Sequence, residues 1–456
     1  MRISQVAEVL DAEVHGEDVM LYGVSKDTRD IREGDLYVAL IGERFDGHAF
    51  ISGANDAGAA GALVSEIQAL DMPQVKVGDT REALGRLAAY WRSQFSGKLI
   101  GITGSNGKTS VKEMCSKILG DYVGGEAVLA TRGNLNNDIG MPMMLLELRD
   151  RHRYAVIEMG ANHVGEIGYL TNIARPDVAL VNNVGPAHLE GFGSLDNTAK
   201  AKGEIYDGLG ENGTAVINDD DVYSAQWKKY CREHTSVSRI FTFSMRNPGA
   251  DVFARVVGDG VYRIITEKDS AELALKVPGE HNVMNALAAI SATLNVGVPL
   301  DDIISSLRSF ENIGGRLTVH EAESGCRVID DSYNANPLSV SAAIKVLASF
   351  EQPKVLVLGD MAELGDDAER LHAEVGELAK QSGIDRLYAA GALSRATVDA
   401  FGNSGFHFDG KAELIDELQN ALTGDEVVLV KGSRSAAMEE VVERILSHKN
   451  NDKRAN

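Results

Sequence analysis

Cysteine is scarce. Cys115, Cys231 and Cys326 are the only three in 456 residues, and they lie far apart. An odd, widely spaced set builds neither a disulfide framework nor a zinc site, and it fits a reducing compartment. Positive charge is also short: 45 Lys plus Arg stand against 67 Asp plus Glu, a formal net charge of −22 with a pI near 4.9. A broad face for DNA or RNA needs clustered Lys and Arg, and so does binding to an anionic membrane surface, so the charge balance argues against both partners. It does not exclude one local positive pocket for a small anion. No apolar run approaches the roughly 18–20 residues of a membrane span. The opening MRISQVAEVLDAEVHGEDV lacks the apolar core of a secretory signal. The expectation is a soluble, cytoplasmic protein. The nine prolines are scattered, with no low-complexity tract and no repeat of fixed period.

The composition that remains is globular, 44% hydrophobic and 25% charged, over a length that suggests about three domains. Residues 1–97 mix short strand-like pieces such as DLYVALIG (35–42) with a helix over 80–95. From Lys98 the pattern changes. KLIGITG (98–104), YAVIEMG (154–160) and VALVNN (178–183) alternate with helical stretches, as in a parallel sheet covered on both faces. Alternation over 241–278 predicts an antiparallel addition, and a helix follows from about Asn282 to Asn295. After GGRL (314–317), the runs RVIDD (327–331), KVLVLGD (354–360), RLYAAG (386–391) and EVVLVKG (426–432) predict a second nucleotide-fold-like unit. The fold class is therefore α/β in three domains. An N-terminal α/β domain spans 1–97, a central P-loop parallel-sheet domain 98–315, and a C-terminal Rossmann-like domain 316–456. The polar tail SHKNNDKRAN is expected to fray.

The strongest local signal is Gly104-Ser105-Asn106-Gly107-Lys108-Thr109-Ser110, directly after an apolar strand and before the helical VKEMCSKILG. Small residues let backbone N–H groups wrap phosphates, and a Lys reaches the β- and γ-phosphates. A hydroxyl holds Mg²⁺, and a helix N-terminus backs the anion. Ile102 stands where the usual Walker pattern has its first glycine, so the loop is a variant. By itself it establishes nucleotide binding and no particular reaction. Glu158 ends YAVIE, where P-loop folds place a carboxylate for Mg²⁺ or its water, although a solvated Glu looks the same by position. His188, in PAHLEGFGS, reads equally as a metal ligand or a loop cap. Lys202, in TAKAKGEIY, is expected at the start of a helix, where a solvated surface charge is the common reading. Asn282 and Asn285 share one face of a helix start, placed either to read a base or to cap the helix.

Taken in order, the motifs resemble the Mur ligase family over nearly the whole chain. SKDTRDIREGDLYVALIGERFDGHAF (25–50) is similar to the family's uridine-diphosphate-sugar domain. TGSNGKTSVKEM (103–114), GNLNNDIGMP (133–142), IEMGANHVGEI (157–167) and HLEGFGS (188–194) are similar to its ATPase core. DDSYNANP (330–337), GDMAELG (359–365) and KGSRSAAMEEVV (431–442) narrow the resemblance to members that add a terminal dipeptide. Ile102 is then no departure, since the family's loop is of the TGxxGKT form.

The resemblance implies a chemistry. ATP phosphorylates a peptide carboxylate, the amine of D-alanyl-D-alanine attacks the acyl phosphate, and phosphate leaves. The implied partners are UDP-N-acetylmuramoyl-tripeptide and D-alanyl-D-alanine, joined with Mg²⁺ by a monomer in cytoplasmic peptidoglycan synthesis. Catalysis is implied for Lys108, Glu158, His188 and Lys202. Thr109, Glu158, His188 and Lys202, the last as a carbamate, are implied to hold Mg²⁺. Gly104, Ser105, Asn106, Gly107, Lys108, Thr109 and Ser110 would surround the phosphates. Asn282 and Asn285 would contact adenine, while Arg316 and Asp331 would meet ATP from the C-terminal side.

Ser25, Asp27, Arg29, Asp46 and Gly47 match the uridine-diphosphate segment, with Arg29 either on the diphosphate or in a surface ion pair. Asn134, Asn136, Asn137 and Asp138 match the segment facing sugar and peptide, with Asn162, His163 and Glu166 as a second polar cluster. Asn334, Asn336, Asp360, Glu363, Lys431, Ser433 and Arg434 are implied for the dipeptide. Asp360 or Glu363 would take its ammonium and Arg434 its carboxylate. The rival readings are another ligase of the family, a folylpolyglutamate or cyanophycin synthetase, and a nucleotide switch. Against the switch, the chain has no guanine-reading NKxD motif.

Overall fold

The computed structural model describes residues 1–42, 45–186, 188–312 and 314–448, so most of the tail expected to fray lies outside the described residues. Three sheets follow one another along the chain. The first has five strands in the order Glu13–His15, Gln74–Lys76, Gly61–Val64, Asp35–Val38, Gly23–Ser25, all parallel except the first pair. The two central strands, Asp35–Val38 and Gly61–Val64, are buried on both faces. That is why they read as continuous apolar runs.

The second sheet has nine strands. Its parallel part runs Val128–Ala130, Tyr154–Glu158, Lys98–Thr103, Val178–Val181, Thr214–Asn218, Arg239–Ser244, Val252–Gly258. Val261–Thr266 and Ser270–Ala274 then add antiparallel. The antiparallel addition expected over 241–278 therefore starts later, because Arg239–Ser244 still pairs parallel on both sides. The helix expected at 282–295 is Glu280–Leu294.

The third sheet runs Thr318–Glu321, Arg327–Asp331, Val427–Lys431, Lys354–Gly359, Arg386–Ala390, Gly405–Phe408, antiparallel only at the first pair. Its first and last strands escape the sequence reading. Both are four-residue edge strands with half-exposed side chains, so neither carries a buried apolar run.

Apolar burial joins the first two units. The helix Thr80–Ser93, capped by the Asp79 carboxylate, buries Ala83, Leu84, Leu87 and Ala88. It packs on the helix Ile3–Leu10 and also on Gly140–Leu145 and Glu166–Ala174 of the central unit. One continuous cluster runs from Ile3 through Leu84 to Trp227. The C-terminal unit instead has its own two clusters, largely on opposite faces of its sheet. It meets the rest of the chain through polar side chains and small apolar contacts, among them those of Leu189, Leu338 and Val346. No described helix is long and apolar enough to cross a membrane.

Candidate active site

The site lies at the C-terminal ends of the central strands, where parallel sheets collect their loops. Strand Lys98–Thr103 opens into the phosphate loop, which ends at Gly107 with a left-handed φ of 76° before the helix Lys108–Val123. A Cβ at Gly107 would overlap the side-chain amides of Asn182 and Asn285, so the loop closes only with glycine there. Asn182 Nδ2 donates to Asn285 Oδ1 at 2.8 Å, and Asn285 donates to Asn282 Oδ1 at 3.3 Å. Asn282 donates in turn to the Pro278 carbonyl at 2.7 Å. The two asparagines that the sequence offered either as base readers or as helix caps brace the loop from behind.

Lys108 is folded onto its own loop, with Nζ 2.8 Å from the Gly104 carbonyl oxygen. Burial holds its pKa below the ordinary lysine value, with Glu158 opposing that effect. Thr109 Oγ1 donates to Glu158 Oε2 at 2.9 Å and accepts from Arg316 at 3.0 Å. The other Glu158 oxygen accepts from Asn136 Nδ2 at 2.8 Å. Arg316 lies with its guanidinium 4.1 Å over the Tyr333 ring. Asn336 caps the helix Pro337–Ala348, and its Nδ2 donates across the seam to Asn106 Oδ1 at 2.7 Å. The Asn106 Nδ2 is buried with no hydrogen-bond partner among the described residues, a bare donor inside a phosphate loop.

His188 Nδ1 and a Glu363 carboxylate oxygen meet across the same seam, and both residues have left-handed backbones, φ 55° and 62°. Such residues cost of order 1–3 kcal/mol each and cluster where function holds them. Burial lowers the His188 pKa, Glu363 opposes this, and the positive charges of Lys108 and Lys202 add to it.

Lys202 departs from expectation twice. It sits in the last turn of the helix Leu195–Gly203, not at its start, because Ser194 is the N-cap and accepts from the Asn197 N–H. It is also 2% exposed rather than solvated, with Nζ 5.6 Å from the centre of the Phe192 ring. Its ammonium has no ion pair among the described residues. Burial first, and then the Lys108 charge, push its pKa well below that of an ordinary lysine.

On the C-terminal side, Lys431 Nζ bridges Asp331 Oδ2 at 2.6 Å and the Asn334 carbonyl at 2.7 Å. Burial raises the Asp331 pKa and the Lys431 charge opposes it. Both side chains are nearly buried, so Lys431→Met should leave an uncompensated carboxylate. We expect a loss of about 3–5 kcal/mol, read as a lowered urea midpoint of the C-terminal transition. An unchanged midpoint would show that Asp331 takes up a proton at little cost.

Both carboxylates considered for an ammonium are engaged, Glu363 with His188 and Asp360 with a helix start. Asp360 caps the helix Ser394–Phe401 through the N–H groups of Leu393 and Ser394 at 3.2 and 2.7 Å. Arg434 is exposed and pairs with Glu439 at 2.9 Å, while its N–H donates to Asn334 Oδ1 at 3.3 Å. The Ser433 N–H donates to the Asp360 carbonyl at 3.0 Å, joining two adjacent strand ends. 

Other expected residues stand apart from the phosphate loop. Arg29, with its side chain 86% exposed, pairs with Asp27 at 2.5 Å, the surface ion pair the sequence allowed. Ser25 Oγ accepts from the Asp27 N–H at 3.1 Å, and Asp46 caps the turn Gly47–Phe50 through the His48 N–H. Asn137 accepts from the Gly140 N–H at 2.8 Å, Asn134 accepts through its carbonyl from the Asn136 N–H, and Asp138 pairs with Arg81. The N–H groups of Asn162 and His163 donate to Glu166 in an exposed turn whose Gly165 N–H is held by Glu204.

Sequence reasoning missed Arg81, Thr131, Asn182 and Asn183. Thr131 Oγ1 accepts from the Glu158 N–H at 2.9 Å, and Asn183 Oδ1 from the Asn106 N–H at 2.9 Å. Asn182 and Asn183 directly follow the strand Val178–Val181, the same strand-end position that singled out Glu158.

A phosphate loop at one sheet's C-terminal edge, closed over by the strand ends of a second α/β domain, defines a multidomain P-loop enzyme. Family descriptions match in succession: Mur ligase family, catalytic domain, over residues 20–92; Mur ligase middle domain over 102–293; and Mur ligase, glutamate ligase domain, over 315–434. The chain belongs to the Mur ligase family. It is 46% identical over 446 residues to the UDP-N-acetylmuramoyl-tripeptide–D-alanyl-D-alanine ligase of Escherichia coli (strain K12), covering 96% of this chain and 97% of that one. The solved structure of MurF from Acinetobacter baumannii matches with a TM-score of 0.90 at 36% identity, covering 97% and 98% of the two chains. That of the MurF ligase from Thermotoga maritima in complex with ADP matches with a TM-score of 0.82 at 28% identity, covering 93% and 96%.

Proposed function

We propose that this chain is an ATP-dependent amide ligase that joins D-alanyl-D-alanine to the free carboxylate of UDP-N-acetylmuramoyl-tripeptide. The products are the UDP-N-acetylmuramoyl-pentapeptide, ADP and phosphate, within peptidoglycan synthesis. One observation carries the reading: 46% identity to the Escherichia coli ligase over nearly the full length of both chains. The reading also takes the chain as a monomer in the cytoplasm. Residues 1–97 hold the nucleotide sugar, 98–315 the ATP, and 316–456 the dipeptide.

The residues fit ATP. The bare Asn106 amide, Lys108 and the helix start at Lys108 all present positive charge or donors to one place. They fit Mg²⁺ as well. Thr109 and Glu158 lie side by side, a hydroxyl and a carboxylate oxygen 2.9 Å apart. That sparse oxygen set suits an ion that keeps its waters and leans on substrate phosphates. Thr109, Glu158, His188 and a carbamylated Lys202 would hold it, and it would neutralise phosphate charge. Carbamylation fits a buried amine whose pKa is depressed, since the neutral form adds CO₂, releases a proton and becomes an anion.

The chain's own groups then divide the work. Lys108 and the loop N–H groups stabilise charge on the transferring phosphoryl group. Arg316 and Asn336 bring the C-terminal domain onto the loop, which excludes water from an acyl phosphate. Glu363, with Asp360 capping the helix beside it, presents negative potential toward the dipeptide ammonium, while Arg434 offers its guanidinium to the carboxylate. The test is phosphate release with ATP, UDP-N-acetylmuramoyl-tripeptide and a panel of amines. Release should require D-alanyl-D-alanine. Release with a single amino acid instead would assign another ligase of the family, and release without any amine would favour the nucleotide switch.

A further inference from the structure

Residues 360–364, the loop after the strand Lys354–Gly359, carry both Asp360 and Glu363. Their side chains point to different elements, Asp360 to the helix Ser394–Phe401 and Glu363 to His188 of the central domain. Between them the chain makes a sharp turn, with Met361 and Leu364 each 3% exposed and Glu363 left-handed. A buried N–H in such a turn needs an acceptor, and no neighbouring strand supplies one to Met361. It donates to His372 Nε2 at 3.0 Å.

His372 lies in the helix Ala368–Gln381 and is 1% exposed. Its other nitrogen is 2.7 Å from the Ala368 carbonyl, four residues back on the same helix. A carbonyl only accepts, so the proton belongs to Nδ1, and Nε2 keeps the lone pair that Met361 needs. Burial lowers the pKa of the ring, with the Ala368 carbonyl and the Asp360 charge opposing this, which favours the neutral form.

We propose that His372 is a positioning residue for the dipeptide-receiving loop: through the Met361 N–H it sets where Asp360 and Glu363 point. The inference rests on the ligase reading and deepens it, assigning a role to a residue that touches neither substrate nor phosphate loop.

Three variants separate positioning from packing. In His372→Gln, Oε1 reaches the place of Nε2 and accepts from Met361. In His372→Asn, the side chain ends near Nδ1 and keeps only the Ala368 bond. His372→Phe fills the volume with no polar atom. The KM values for D-alanyl-D-alanine and for ATP, kcat and the thermal midpoint are measured for each by phosphate release.

We expect His372→Asn and His372→Phe to raise the dipeptide KM at least about tenfold with the ATP KM within about twofold, and His372→Gln to restore most of the loss. Equal dipeptide KM values in the Gln and Asn variants would overturn the proposal. So would a parallel rise in both KM values, a fall in kcat alone, or failure of His372→Asn to fold. If only His372→Phe fails to fold, the Gln and Asn pair decides. Wild-type protein is assayed first. Its failure to use D-alanyl-D-alanine would sink the ligase reading and this inference together, whereas an active wild type with indifferent variants would sink the inference alone.

Discussion

Replacing Lys108 with alanine is expected to lower dipeptide-dependent phosphate release by about 10²–10³-fold, the usual loss when one preorganised charge is removed from a transition state. In the structure the ammonium is buried and rests on the Gly104 carbonyl. Burial lowers its pKa, so the cation is held at a cost that an arriving phosphate relieves. The KM for the muramyl substrate should barely move, because no bond links Lys108 to the N-terminal sheet among the described residues. Single-turnover cleavage of ATP in the presence of the tripeptide reads the effect directly. A near wild-type rate would remove the loop from the chemistry.

Lys202→Ala should be comparably severe, a loss of about 10²-fold or more, with partial recovery on adding formate or acetate. The short carboxylate would stand where the carbamate anion belongs. Carbon-13 NMR gives a second readout that does not depend on turnover: labelled CO₂ should give a carbamate signal in wild type that the variant lacks. Full activity of the alanine variant would leave Lys202 as a buried amine without a catalytic task. A solvated surface charge is already excluded by its burial.

The two lysines were legible to different degrees. Lys108 announces itself, since strand, glycines, Lys-Thr and helix are contiguous and each follows from backbone chemistry. Lys202 does not. Its motif matched only by resemblance, and the local pattern pointed to the wrong end of its helix. Ser194 and Asp196 were the start signal, a serine cap followed by an acidic first turn. Asp360 shows the converse limit: its presence at a strand end was readable, but not that a neighbouring helix takes up its carboxylate. The edge strands Thr318–Glu321 and Gly405–Phe408 were unreadable for a third reason, because exposure on one side erases the apolar run.

By itself, the amino-acid sequence determined the α/β class, the order of units, the phosphate loop and the family resemblance. All of these rest on signals carried within a few dozen contiguous residues. Only the tertiary structure decided which side chains close over the loop. Arg316 reaches Thr109 across 207 positions and Asn336 reaches Asn106 across 230. No local pattern specifies such pairs, because they depend on how two separately formed sheets present their strand ends to each other. The scarcity of positive charge takes its meaning there as well. In a chain of net charge −22, the few cations that matter are those that folding gathers around one phosphate loop.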